Sequence, residues 1–156
     1  MKKSIVIDYH EYTSIAELDK SDQELIKQAQ KALRNAYAPY SKFHVGAAVQ
    51  LENGTIITGN NQENIAYPSG LCAERVALFH VGANFPTEKI ETLAIAAEGD
   101  LIDKNAVISP CGACRQVLFE SEKRQQKNIR ILIIGMNGKI IAFEKSTDLL
   151  TFAFGL

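Results

Sequence analysis

The sequence has no long hydrophobic run, no surplus of charge and few cysteines. Its apolar stretches, such as Leu93 to Ala97 and Ile131 to Ile134, fall far short of the roughly twenty residues needed to span a bilayer. The apolar residues behind Met1-Lys2-Lys3 end with Ile7 at Asp8, too few for the core of a secretory signal. Both absences point to a cytoplasmic protein. A formal net charge of -1 provides no global field to draw in polyanions, which disfavours a nucleic-acid substrate. The cysteines number three, an odd count that suits a disulfide framework poorly. Reduced thiols serving a metal or a redox function fit better. No repeat, linker or low-complexity segment interrupts the chain.

What is present is enough for a folded domain. The chain has 156 residues, 46% of them hydrophobic, which favours one domain over residues 1–156 with a core of its own. Residues 1–20 read as an N-terminal arm, in which 4–12 form a short strand or an extended piece. Ser21 and Glu24 match a capping box, followed by Leu25, Ala29, Ala32, Leu33 and Ala36 at helical spacing. That helix must end before Pro39. Residues 43–51 and 55–59 read as strands joined by a turn at Asn53-Gly54, a pair that favours a tight hairpin. A polar loop over 60–70 leads to a helix from about Cys72 to Gly82. An apolar strand follows at 93–97, then a helix over 112–122 with Val117, Leu118 and Ser121 inward. A buried strand at 129–134 turns at Asn137-Gly138 into a return strand over 139–143. Ser146 or Thr147 is placed to cap a last short helix. Strand–helix–strand order in the middle gives parallel neighbours, and the Asn-Gly turns give antiparallel hairpins at both ends. The expected fold is a three-layer α-β-α sandwich with a mixed five-stranded sheet.

All three cysteines lie in two short pieces, Leu71-Cys72-Ala73-Glu74-Arg75 and Ser109-Pro110-Cys111-Gly112-Ala113-Cys114-Arg115-Gln116. Three thiolates can hold zinc and leave its fourth position open, the feature that separates a catalytic site from a structural one. Glu74 supplies an acid/base group beside it, so the parts needed for metal-assisted hydrolysis are present. Cys111 and Cys114 can meet one metal at a helix start. Cys72 joins them only if two helix starts converge at one sheet edge, where open sheets gather their ligands. On spacing alone a redox pair and inert buried thiols stay open beside zinc. Arg75 stands three residues beyond Cys72, on the same helix face. There it can draw charge from thiolates that overcompensate a dication, with the helix dipoles acting the same way. The plain alternative is a solvated surface arginine.

The wording of these pieces is similar to the cytidine deaminase family, in its small three-cysteine form. The likeness extends to Ala38-Pro39-Tyr40-Ser41, Phe43, Val45-Gly46-Ala47-Ala48, Gly59, Asn61, Glu63-Asn64, Tyr67-Pro68, Leu149-Leu150 and Phe154-Gly155, and so covers most of the chain. The resemblance implies one zinc ion per subunit on Cys72, Cys111 and Cys114. It implies Glu74 as the group that takes the water proton, delivers it to ring nitrogen 3 of cytosine and serves the leaving ammonia. Arg75 would act against the thiolates. Phe43 would pack on the pyrimidine, the amide of Ala73 would hold its carbonyl, Tyr40 would line the sugar, and Asn61 and Glu63 would bind the ribose hydroxyls. A carboxylate there repels phosphate, so a nucleoside is expected rather than a nucleotide. Core packing for Phe43 and Tyr40, and turn formation for Asn61, are the plain alternatives. Asn64 is assigned to the loop's own hydrogen bonds. The sequence departs from the family at Thr151, where proline is frequent, and at Ile65, where a small residue is common.

The implied reaction is zinc-dependent hydrolytic deamination of cytidine and deoxycytidine, as in pyrimidine salvage. A modified cytosine nucleoside, such as an antibiotic, would need a similar site. A structural zinc domain would need a fourth protein ligand, which the cysteines do not supply, and would leave Glu74 without a task. The terminal segment Phe152-Ala153-Phe154-Gly155-Leu156 is strongly apolar for a chain end. The resemblance implies a homotetramer with shared active sites, in which Phe154 closes a neighbour's site. The alternative is that Phe152 and Phe154 plug their own core.

Overall fold

The computed structural model describes residues 1–100 and 102–155; Leu101, and Leu156 of the terminal segment, lie outside the described residues. The elements are β1 (His10–Tyr12), α1 (Lys20–Leu33), β2 (His44–Leu51), β3 (Ile56–Asn60), α2 (Ala73–Asn84), β4 (Ile90–Glu98), α3 (Gly112–Gln125), β5 (Arg130–Ile134) and β6 (Ile140–Phe143). They build one mixed sheet in the order β1-β6-β5-β4-β2-β3. Only β4 and β5 run parallel; the other neighbours are antiparallel.

Alternation along the strands sorts the core into two layers. Val45, Ala47, Val49, Leu93, Ile95, Ile131 and Ile133 face α2 and α3, meeting Ala77, Leu78, Val81 and Leu118. Ala48, Ala94, Ala96, Leu132, Ile134 and Ala142 face α1, meeting Leu25, Ile26, Ala29 and Leu33. The expected three-layer sandwich is therefore present, with α1 on one face and α2 and α3 on the other. Gly46 permits that contact: a Cβ there would lie 2.0 Å from the carbonyl oxygen of Ala29. Both expected hairpins form, and Gly54 and Gly138 each take φ of 83°, which side chains rarely adopt.

Four expectations need correction. The sheet has six strands rather than five, because β1 pairs with β6 through His10–Ala142, Glu11–Ile141 and Tyr12–Ile140. Pairing satisfies backbone groups that β6 would otherwise expose at its edge. Lys139 to Glu11 at 3.1 Å and a Tyr9–Phe143 ring contact at 5.9 Å add to it. The strands flanking α2, β3 and β4, are not neighbours; β2 lies between them and is antiparallel to both. The cap of α1 is Asp19, whose side chain accepts from the amide of Asp22 at 2.9 Å. Starting one residue before Ser21, the helix leaves that hydroxyl to bond Gln50 instead. Finally, the last helix is only a 3-10 turn over Ser146–Asp148, because Ser146 is buried and bonded to Glu122 rather than free to cap.

Candidate active site

β3 and β4 point the same way, so their carboxyl ends share one sheet edge, and α2 and α3 begin there. Gly59 lets α2 come close: a Cβ on it would stand 2.6 Å from the Ala73 carbonyl oxygen and 2.7 Å from the Ala77 nitrogen. Cys72 is the residue capping α2 and Cys111 the residue capping α3, with Cys114 buried in the first turn of α3. The three sulfurs lie within 4.8 Å of one another. Cys72 to Cys111 is 3.8 Å and Cys111 to Cys114 is 3.5 Å. A tetrahedral zinc with sulfurs at about 2.3 Å sets them about 3.8 Å apart, so the cluster fits that ion.

Electrostatics agree with the fit. Arg75 reaches Cys72 Sγ with Nη2 at 3.7 Å, while its buried Nε has no hydrogen-bond partner among the described residues. That donor suits a neighbourhood of metal-bound thiolates. The hydrogen bond from Cys114 pulls the Cys72 thiol down to about 5, with Arg75 helping against burial. The same contact with Cys72, together with burial and the charge of Glu74, pushes Cys114 up. Glu74 is buried, 4% exposed. Burial pushes its carboxyl above the usual range, and the charge on Cys72 adds to that. A carboxyl poised upward is suited to hold and release a proton.

These groups open into a cavity of about 580 Å³, with Cys72, Cys111, Glu74 and Arg75 among its lining residues. Residues 19–132 match the family described as cytidine and deoxycytidylate deaminase zinc-binding region. The chain belongs to the cytidine and deoxycytidylate deaminase family. It is 46% identical over 98 residues to a cytidine deaminase of Sporosarcina psychrophila, covering 63% of this chain and 68% of that protein. The crystal structure of a cytidine deaminase from Burkholderia pseudomallei superposes with a TM-score of 0.71 at 35% identity, over 84% of this chain and 97% of that one. The cytidine deaminase of Mycobacterium tuberculosis gives 0.65 at 33% identity, over 88% of this chain and 100% of that one. The expectation of a hydrolytic deaminase with this fold therefore holds.

Phe43, Tyr40, Asn61 and Glu63, to which the resemblance gives contacts with the substrate, are among the residues lining this cavity. Two of them carry structural duties that the sequence did not signal. Asn61 accepts from the Val45 amide at 2.8 Å and donates to the Phe43 carbonyl at 2.9 Å, bracketing the entry to β2 and fixing Phe43. The Glu63 carboxylate accepts from the amides of Tyr40 at 2.9 Å and Ser41 at 3.3 Å, and from the Ser41 hydroxyl. The Ser41 hydroxyl chiefly holds this carboxyl below its usual range. Asn64 does bond within its own loop, to the Ala66 amide at 2.9 Å. Ala73 is wholly buried, and its side chain does not line the cavity. Nor does Phe154, which is 82% exposed. The alternative that Phe152 and Phe154 plug their own core is excluded, since Phe152 is 94% exposed. Sequence reasoning passed over the hydrophobic wall made by Ile95 and Ile108, for which a lone isoleucine gives no signal.

Proposed function

We propose that this chain deaminates cytidine and deoxycytidine hydrolytically, releasing ammonia and the corresponding uridine, as a step of cytoplasmic pyrimidine salvage. The observation that carries the reading is a buried carboxylate, Glu74, beside three convergent sulfurs at the cavity. Residues 1–156 are read as a single cytidine deaminase-like domain. Cys72, Cys111 and Cys114 hold one zinc ion, which supplies Lewis acidity and makes water nucleophilic near neutral pH. Glu74 takes the proton of the attacking water and delivers it to ring nitrogen 3. Once the water oxygen is bonded to C4, Glu74 takes the second proton from that hydroxyl and passes it to the amino group, so that the C4–N bond breaks, the oxygen becomes the C4 carbonyl and ammonia departs. Arg75 offsets the negative charge of the sulfurs. The Ala73 amide, in the first turn of α2, has no acceptor inside the helix and is free to hold the pyrimidine carbonyl.

Phe43 packs against the ring and Tyr40 borders the sugar. Asn61 keeps one N–H and one lone pair beyond its backbone bonds, and these, with the Glu63 carboxylate, meet the ribose hydroxyls. Because hydrogen bonds keep Glu63 anionic, a 5′-phosphate meets repulsion. Purified, zinc-loaded protein is expected to release ammonia from cytidine and deoxycytidine at least about tenfold more efficiently than from deoxycytidylate. No release from either nucleoside would overturn the reading.

We read the active sites as shared within a homotetramer. Support comes from the exposed Phe152 and Phe154 and from a nucleoside pocket's need to exclude water on every side. Sedimentation should give a tetramer. Mixing Glu74→Gln subunits with Phe154→Ala subunits should restore some activity, because some sites then receive both native residues. A fully active monomer, or no recovery in verified mixed tetramers, sinks the shared-site reading.

A further inference from the structure

Arg115 follows the buried Cys114 in the first turn of α3, and its side chain reaches back past the start of the helix. Its guanidinium donates in three directions. Nε bonds the Pro110 carbonyl at 2.7 Å, Nη2 bonds the Ser109 hydroxyl at 2.8 Å, and Nη1 bonds the Leu149 carbonyl at 2.7 Å. All three are short, charge-assisted bonds to neutral acceptors, made by a rigid planar fork. Two of them fall on the residues leading directly into Cys111. The third falls on the C-terminal segment, which is independently moored to α3. There the Glu122 carboxylate accepts from the Ser146 amide at 2.8 Å, and the Gln116 side chain donates to the Phe154 carbonyl at 2.8 Å.

The Cys111 thiol meets the sulfurs of Cys72 at 3.8 Å and Cys114 at 3.5 Å, contacts that hold only while the residues leading into it stay seated. Cys111 is exposed and makes no side-chain cap of α3. Proline removes the backbone donor of residue 110, so the Pro110 carbonyl is the one backbone hydrogen-bonding group that residue 110 itself carries. Cys114 is held by burial in the helix, whereas Cys111 depends on how the 109–110 strap is seated.

We propose that Arg115 is a positioning residue for the Cys111 sulfur, seating the 109–110 strap against α3 and the Leu149 segment so that the three thiols converge before metal arrives. The proposal rests on the reading of Cys72, Cys111 and Cys114 as the metal site. The fork matters here rather than the charge. Lysine keeps the charge but cannot span three acceptors in a fixed plane.

The test uses full-length protein and two metals alone, zinc by competition with a chromogenic chelator and cobalt(II) by absorption. Arg115→Lys and Arg115→Ala are expected to lower zinc affinity by about 10- to 100-fold, as losses of groups that orient ligands do. Both should also shift the cobalt d–d and sulfur charge-transfer bands. Gln116→Ala, which cuts a neighbouring tether to the C-terminal segment without touching the strap, should leave affinity and spectrum as in wild type. If Arg115→Lys folds and matches the wild type in both readouts, the proposal is overturned. If the Arg115 variants do not fold, Ser109→Ala decides, because it removes one acceptor and leaves the arginine. An unaltered affinity in Ser109→Ala overturns the proposal, and a weaker one supports it. Failure of the wild type to bind either metal would instead defeat the underlying metal-site reading.

Discussion

Glu74→Gln protein, loaded with zinc, is expected to keep its metal and its melting temperature while deaminating cytidine at least ~10²–10⁴-fold more slowly. Glutamine matches glutamate in shape and can occupy the same buried site. It cannot take a proton from water or return one to the ring and the leaving amino group. The substitution also removes a carboxyl that burial and the charge on Cys72 push upward, so packing has no reason to suffer. Metal content, thermal melting and ammonia release, measured on one preparation, separate the outcomes. Near-normal turnover with stoichiometric zinc would falsify the role of Glu74.

A second large effect is expected at Cys114. Its sulfur is fully buried and lies 3.5 Å from that of Cys111, so alanine removes one of the three sulfurs proposed to hold the metal. Cys114→Ala should purify without stoichiometric zinc and without deaminase activity. It should also lose the stability that metal contributes by binding only the folded chain, about 4 kcal/mol when metal is a thousandfold above its Kd. For a chain of this size that corresponds to a fall in Tm of roughly 8 to 16 °C. A chelator should lower the wild-type Tm toward the variant's value and leave the variant unmoved. Full zinc occupancy with unchanged melting in Cys114→Ala would remove this cysteine from the ligand set.

Much of this site was legible because its chemistry is local. A C-x-x-C at a helix start and a Cys-Ala-Glu at another are each confined to one turn, and open-sheet geometry brings two such turns to one edge. The hairpins were equally legible, since Asn53-Gly54 and Asn137-Gly138 state the backbone they need. What escaped depends on partners distant in sequence. Nothing in His10–Tyr12 indicates that β6 is its neighbour. Nothing in Asn61 or Glu63 tells that their side chains also bond backbone at Phe43, Val45, Tyr40 and Ser41. Ser21 offered a good local cap, but Asp19 took the position because the helix begins earlier. Ser146 lost its capping role to Glu122, a buried acid on another element.

The added edge strand has a kinetic side. β1 meets β6 across nearly the whole sequence, and the entropy of closing so large a loop is not repaid until the strands between them have assembled. A three-residue ladder brings little of its own, and residues 1–9 preceding it are exposed. In the order of assembly β1 therefore comes last, zipping onto a finished sheet. By the same reasoning its amides open first in the native state, exchanging with solvent by local fraying while those of β4 and β5, in the middle of the sheet, wait for global unfolding.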